Sequence, residues 1–409
     1  MNKREVTEIK RRLKKESCTI TRMAGCYVDS SKEKVLTFNN NFLNLEDVEF
    51  HKYLEIANKC LSGKLGNNLL DLSFDPSAEE AGGPQHSILA LRDSGLKDEN
   101  MLNAFYDHVI ETYDTVNNYL ILLFHDAYDV PMKSTDELSL GESDEVYEYI
   151  LCAICPVNLS KPGLGYHPDD NSIAALDRSW VVGATESAFL FPAFNERSAD
   201  IHSAFVYTKN TKEPHKEFWE LGLGCVSRFT SAEKQNAFNN MVKHAVGGDE
   251  EKLSDILTDV SENISAFIEE EAATSEKEEP IILSEKEITP ILTDSGLSEE
   301  QAEKVSKEFK TFFNEEPPEA GELLDSKLLK DSELKNEKKA LQEKVVELEN
   351  ELERSGLVTK NGEKADIVVN VNDEKAELIS AGFVDGQRCL IIPLEADDET
   401  TINGELQYF

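Results

Sequence analysis

Positive charge is scarce in this sequence. Lys and Arg total 42 against 80 Asp and Glu in 409 residues, a formal net charge of −38. A surface of that sign repels nucleic acid phosphates and anionic lipid, so neither is expected as a partner. A solvated acidic surface is the plain consequence; DNA mimicry or a basic partner is the functional alternative. Long apolar runs are missing as well. None approaches the roughly 20 residues that a membrane-crossing helix needs, and the opening Met1-Asn-Lys-Arg-Glu5 has no apolar signal region. The seven cysteines are an odd number spread thinly, unlike the dense even framework of a small secreted domain. A soluble cytoplasmic protein is the expectation.

What is present centres on residues 146–157. Tyr147 to Val157 is nearly continuously apolar, rich in β-branched and aromatic residues, and closed by Pro156, which suits a strand covered on both faces. Residues 119–124, 187–194 and 203–208 have the same character. They predict one mostly antiparallel sheet with flanking helices, an α+β fold.

Upstream, residues 3–15 predict a helix with Val6, Ile9 and Leu13 on one stripe. Its Lys10, Arg11, Arg12, Lys14 and Lys15 form a basic patch, read either as a nucleic-acid arm or as a helix that docks by its stripe and neutralises acidic surface, for example at 249–279. Residues 20–28 and 34–38 predict a hairpin, 46–61 a helix, 69–74 a strand, and 85–92 and 98–113 two further helices. Downstream, 217–221 and 231–246 return to helix, with Ser231 as N-cap and Gly247-Gly248 as the stop.

Composition then shifts. Residues 249–279 are strongly acidic, with Leu253, Ile256, Leu257, Val260, Ile264 and Phe267 at helical spacing, followed by a hinge at 272–280. Residues 298–313 predict another amphipathic helix, ended by Pro317-Pro318. Leu334, Leu341 and Leu348 recur every seven residues, with Val345 and Leu352 completing a short heptad seam that Lys338 interrupts. Intramolecular packing is the default there and a weak homodimer through 334–352 the alternative. Near the C-terminus a strand is expected at 365–371, and Asp385-Gly386 between two apolar runs signals a tight hairpin. The divisions are a core domain at 1–247, an acidic helical region at 248–320, a long helix at 321–356 and a β-hairpin unit at 357–409.

Several segments together carry a resemblance: EVTEIKRRL, MAGCYVDSS and LSGKLGNNLLD near the N-terminus, LRDSGLKD, YLILLFHDAYDVP, YILCAICPV and FLFPAFNERSADIH through the middle, and DIVVNVN and VDGQRCLIIPL near the end. The chain resembles an uncharacterised bacterial family, domain of unknown function 4317, over essentially its full length. That resemblance implies a bacterial, intracellular protein and supplies no catalytic residues.

The candidate chemistry is sparse. Cys152-Ala-Ile-Cys155 has redox or metal spacing, yet residues three apart on a strand point to opposite faces, which favours core cysteines. His125-Asp126 suggests a metal phosphohydrolase only if further ligands converge on it. Gly163-Leu-Gly165 matches no phosphate-binding fingerprint and reads as a turn. The polar connection 195–202 is the remaining candidate catalytic site: Glu196, Arg197, Asp200 and His202 place acid, cation and titratable base close in sequence, with His167 and Arg178 as candidate ligand-binding neighbours. The same groups serve equally as strand-end ion pairs. No metal or cofactor is expected. The leading expectation is a non-enzymatic protein that acts through an unknown protein partner; a hydrolase or small-ligand-binding domain using residues 195–202 is the alternative.

Overall fold

The computed structural model describes the chain except residues 134–138, 248–249, 275–279, 315, 355–368, 370, 372, 396–397, 399, 403–404 and 408–409. It divides into two compact units, Met1–Leu329 and Lys330–Phe409.

In the first unit the order is α1 (Lys3–Arg12), β1 (Arg22–Val28), β2 (Lys34–Asn41), α2 (Asp47–Cys60), β3 (Leu69–Ser73), α3 (Pro84–Asp93), α4 (Glu99–Thr112), β4 (Asn118–Lys133) and β5 (Ser139–Leu159). Short strands follow: β6 (Leu164–His167), β7 (Ser172–Ala175), β8 (Trp180–Val182), β9 (Ser187–Phe191), β10 (Ala193–Asn195), β11 (Ser198–Asp200) and β12 (Ser203–Thr208). A π-helical turn, Phe218–Gly222, leads to α5 (Ser231–Val246), α6 (Glu250–Thr274), α7 (Glu285–Asp294), α8 (Glu299–Phe312) and α9 (Ala320–Leu323).

The main sheet runs β2-β1-β4-β5-β9-β12-β3, with β8 attached to β5, and every described pairing in it is antiparallel. The fold is α+β, as expected. The near-continuous apolar character of β4 and β5 has a direct cause. Leu120, Leu122 and Phe124 pack with Leu151, Ala153 and Cys155 under α1 and α2, whereas Ile121 and Leu123 pack with Ile150, Cys152 and Ile154 under α3 and α4. Alternate residues therefore serve two cores, and neither face of the strand is left to solvent. Burial of each large side chain contributes about 1.5–3 kcal/mol. Both strands outrun the predicted 119–124 and 146–157 because their apolar centres extend into polar flanks, where Asp126 pairs with Tyr149 and Ala127 with Glu148 along the ladder.

Helix α1 docks by its stripe, with Val6 and Ile9 buried, and Leu13 is buried just past its end. Two residues of the basic patch have partners nearby: the Arg12 guanidinium lies 4.0 Å from the Tyr128 ring centroid and, just after the helix, Lys15 Nζ is 2.6 Å from Asp47. On the edge pair, the Phe38 ring covers Gly25, where a Cβ would sit 2.3 Å from the ring; the glycine leaves room for that aromatic cover.

Helices α5 to α9 enclose a third core of Phe238, Val242, Val260, Ile264, Leu292, Val305, Phe309 and Leu323, with the acidic residues turned outward. The first residue of α5 corrects one expectation. Thr230, not Ser231, is the N-cap, because Thr230 and Glu233 form a reciprocal capping box. Ser231 Oγ instead donates to the Gly66 carbonyl at 2.9 Å and to Glu322 at 3.1 Å. Gly247 ends the helix at φ 89°, the backbone freedom its position requires.

Helix α10 (Ser326–Arg354) begins at the end of the first unit and continues into the second. The second unit also holds α11 (Asp373–Ala376), the hairpin β13 (Ser380–Val384) and β14 (Gln387–Ile391), and the pair β15 (Thr400–Ile402) and β16 (Glu405–Gln407). Asp385 and Gly386 have φ 51° and 82°, the two left-handed positions of the predicted tight turn. This hairpin is a two-stranded sheet of its own. The strand expected at 365–371 falls almost entirely outside the described residues, as does the centre of the expected hinge at 272–280.

Candidate interaction surface

The polar connection 195–202 folds into the hairpin β10–β11, whose two turn residues, Glu196 and Arg197, adopt φ 51° and 60°. The turn turns Arg197 toward α1. Its Nε and Nη2 donate to the two oxygens of Glu8 at 3.1 and 2.9 Å, and Nη2 also donates to the Pro131 carbonyl at 2.8 Å. Tyr128 donates to the same Glu8 carboxylate at 2.8 Å. Asp200 accepts from Asn195 Nδ2 at 2.8 Å and from the His202 backbone N–H at 3.0 Å. Burial works to raise the Asp200 carboxyl, and hydrogen bonds from Asn195, Ser203 and the His202 backbone outweigh it, leaving the group below its ordinary range. His202 Nδ1 lies 2.9 Å from Glu79, with the ring 69% exposed. His167 belongs to the separate hairpin β6–β7, and Arg178 donates to the Ser160 carbonyl at 2.7 Å on the approach to β8. Of the six candidates, only Asp200 and His202 are joined by a described hydrogen bond, through the His202 backbone. Arg197 and Arg178 are engaged by Glu8 and by the Ser160 carbonyl, and the buried Nε2 of His167 has no hydrogen-bond partner among the described residues.

The remaining motifs resolve into core structure. Cys152 packs among the residues under α3 and α4 and Cys155 among those under α2, on opposite faces of β5. Burial pushes the Cys155 thiol up to about 11. His125 and Asp126 likewise diverge. Asp126 is buried and accepts from Thr19 at 2.7 Å and Tyr149 at 2.8 Å, whereas His125 contacts Thr21 through Nδ1 and Glu148 through Nε2, both at 2.8 Å. Gly163-Leu-Gly165 is not the expected turn: it leads into β6, where Gly165 pairs with Ala174 and a Cβ would lie 2.3 Å from Leu176, so the glycine leaves room for that leucine. Among the described residues no three His, Cys, Asp or Glu side chains come together as a metal site would require.

A different surface emerges beside α2. Strand β5 continues to Leu159, two residues past Val157, which pairs with Asn118 at the start of β4, and β8 pairs with that overhang through Val157, Asn158 and Leu159. The Ser160 N–H donates to the Ser179 carbonyl at 2.8 Å and the Gly183 N–H to the Pro156 carbonyl at 2.7 Å. This alternation directs the Val181 peptide toward β5 and the N–H and C=O groups of Trp180 and Val182 away from it. Among the described residues β8 has no second strand neighbour.

Between this edge and α2 lies an open groove of about 660 Å³, lined by Val48, Lys52, Tyr53 and Ile56 on one side and Val182 and Thr185 on the other. Trp180 is 55% exposed, Val182 41% and Val48 74%. The adjoining hairpin β6–β7 presents Leu164, Tyr166 and Ile173 to solvent on one face. Apolar side chains exposed beside a groove are a feature of binding surfaces. Sequence reasoning passed over it, although the run Trp180-Val-Val182 between Ser179 and Gly183 has the β-branched and aromatic character of a short strand.

Comparison with known families adds one decisive match. The family described as Domain of unknown function (DUF4317) covers residues 1–405. The chain belongs to this family. No curated protein and no solved structure matches it. Within the described part of this family member, no helix is long and apolar enough to cross a membrane.

Proposed function

We propose that the chain is a non-enzymatic cytoplasmic protein of bacterial origin that captures an extended segment of a partner protein by strand addition to β8. The observation that carries this reading is the pairing of an open strand edge with an apolar groove. Outward N–H and C=O groups at Trp180 and Val182 supply the main-chain ladder, and alternate partner side chains enter the groove against Tyr53, Ile56 and Val182. The walls carry Lys52 and Lys59 beside Glu49 and Glu55, so their charges balance and an apolar, near-neutral segment fits best. The polar groups at 195–202 support a structural role, because Arg197, Asp200 and His202 each have a described partner.

The test is affinity recovery from the cell of origin with wild type and with Trp180→Lys/Val182→Lys, followed by thermal melting of both. The reading expects a discrete partner on wild type, lost from the variant at unchanged melting temperature. Equal recovery by the variant would refute the assignment to β8.

A further inference from the structure

Within the second unit, the long helix α10 presents an apolar seam along which no described element of that unit packs. Leu334, Leu341, Val345 and Leu348 are 62%, 64%, 52% and 49% exposed. An isolated helix of such polar composition gains little from propensity alone, and most helical stability in proteins comes from covering an apolar face. The start of α10 is specified locally: Asp325 accepts from the backbone N–H groups of Lys327 and Leu328 at 3.0 and 3.3 Å. Its seam is not.

We infer that residues 334–352 pair with the same residues of a second copy as a parallel, in-register, two-stranded coiled coil. The spacing places Leu334, Leu341 and Leu348 at d and Lys338 and Val345 at a. Leucine at d with a β-branched residue at a favours two strands, and one polar residue at an a position fixes register and oligomer number at a cost in stability. Lys338 is that residue, so the break in the seam becomes its specificity device. Charge selects both the occupant and its direction. In the parallel pair Lys338 faces its own copy across the seam, which is the source of its cost, and reaches Glu337 at the flanking g position of the other helix, an attraction formed twice by symmetry that offsets this repulsion. The antiparallel pair instead brings Lys344 against its own copy and Glu337 toward Glu351, both repulsive. An acidic partner helix would satisfy Lys338 but leave Glu337 opposed; a second copy satisfies both. This pairing is independent of the β8 edge.

The experiment is sedimentation equilibrium on the full chain over about a hundredfold range of concentration, where an associating system shifts by mass action. The mass rises toward twice that of one chain in wild type and stays at one chain in Leu341→Glu/Leu348→Glu. Lys338→Leu tightens association by about tenfold or more, since it removes the polar cost at a. Orientation is read in a Cys389→Ser background, where Leu334→Cys forms a disulfide-linked dimer under mild oxidation and the background alone does not. A single-chain mass at every wild-type concentration overturns the inference. So does a dimer that survives Leu341→Glu/Leu348→Glu, or a dimer in which the Leu334→Cys variant does not cross-link.

Discussion

Arg197, in the turn between β10 and β11, grips Glu8 of α1 with two hydrogen bonds of 3.1 and 2.9 Å across 189 residues of sequence. The Glu8 side chain is 15% exposed and that of Arg197 26%, so the pair is partly withdrawn from solvent. Arg197→Ala removes two hydrogen bonds from the Glu8 carboxylate, and hydrogen bonds to charged groups of this kind contribute about 1.5–3 kcal/mol. Denaturant unfolding of Arg197→Ala, Glu8→Gln and the double variant is expected to show a stability loss of that order for Arg197→Ala, with less than additive loss in the double. Strict additivity would show that the two do not act together.

The thiols make a second prediction. Cys60, Cys152 and Cys155 are buried, and burial raises the pKa of each. A thiol reagent at neutral pH is therefore expected to label the part-exposed Cys18 and Cys389 in the folded chain and to reach Cys152 and Cys155 only after denaturation. Rapid native labelling of Cys152 or Cys155 would contradict the placement of these residues in two sheet cores.

Two histidines are expected to give opposite pH dependences. The hydrogen bond to Glu79, reinforced by its charge, raises His202 above the ordinary 6.5. The stability this pair adds is present below 6.5 and is lost as pH rises through the raised folded value. His215 is lowered from 6.5 by burial, where its ring lies 4.3 Å from that of Tyr113. Below 6.5 the unfolded chain takes up a proton that the folded chain resists, so His215 removes stability as pH falls. NMR titration is expected to place His202 above and His215 below the ordinary value, with Glu79→Gln lowering only His202. His215→Phe is expected to flatten the loss of melting temperature between about pH 7 and 5, the range in which a histidine with a lowered pKa acts.

How much of this was legible in the sequence depended on how local its causes were. The Asp385-Gly386 turn and the Gly247 stop follow from positive φ, which few residues tolerate, so the residue types alone announce them. The double-faced burial of residues 149–155, the centre of the expected strand, was legible because a strand without polar alternation has no solvent face to offer. The Thr230 cap was legible too, since Thr230-x-x-Glu233 carries the capping-box spacing, whereas the tertiary bonds of Ser231 to Gly66 and Glu322 leave no trace in the local pattern.

The candidate site was harder to read for a physical reason. Glu196, Arg197, Asp200 and His202 are the residue types that both catalysis and strand-end pairing employ, and their distinction lies in partners remote in sequence: Glu8 for Arg197 and Glu79 for His202. The β8 edge was missed because three residues carry little periodicity, and its exposure depends on β5 continuing past Val157, beyond the Pro156 that marked its expected end. Pro156 has no N–H to contribute, but its carbonyl accepts from Gly183 and helps to hold β8 in place.

Strand addition at β8 is tested most directly by amide hydrogen exchange of the full chain, alone and with the partner recovered on wild type. If the partner pairs with β8, the N–H groups of Trp180 and Val182 become ladder hydrogen bonds and their exchange slows by about tenfold or more, whereas Val181, already bonded toward β5, changes less. Unchanged exchange at Trp180 and Val182 in the complex, with protection appearing elsewhere, would contradict the account.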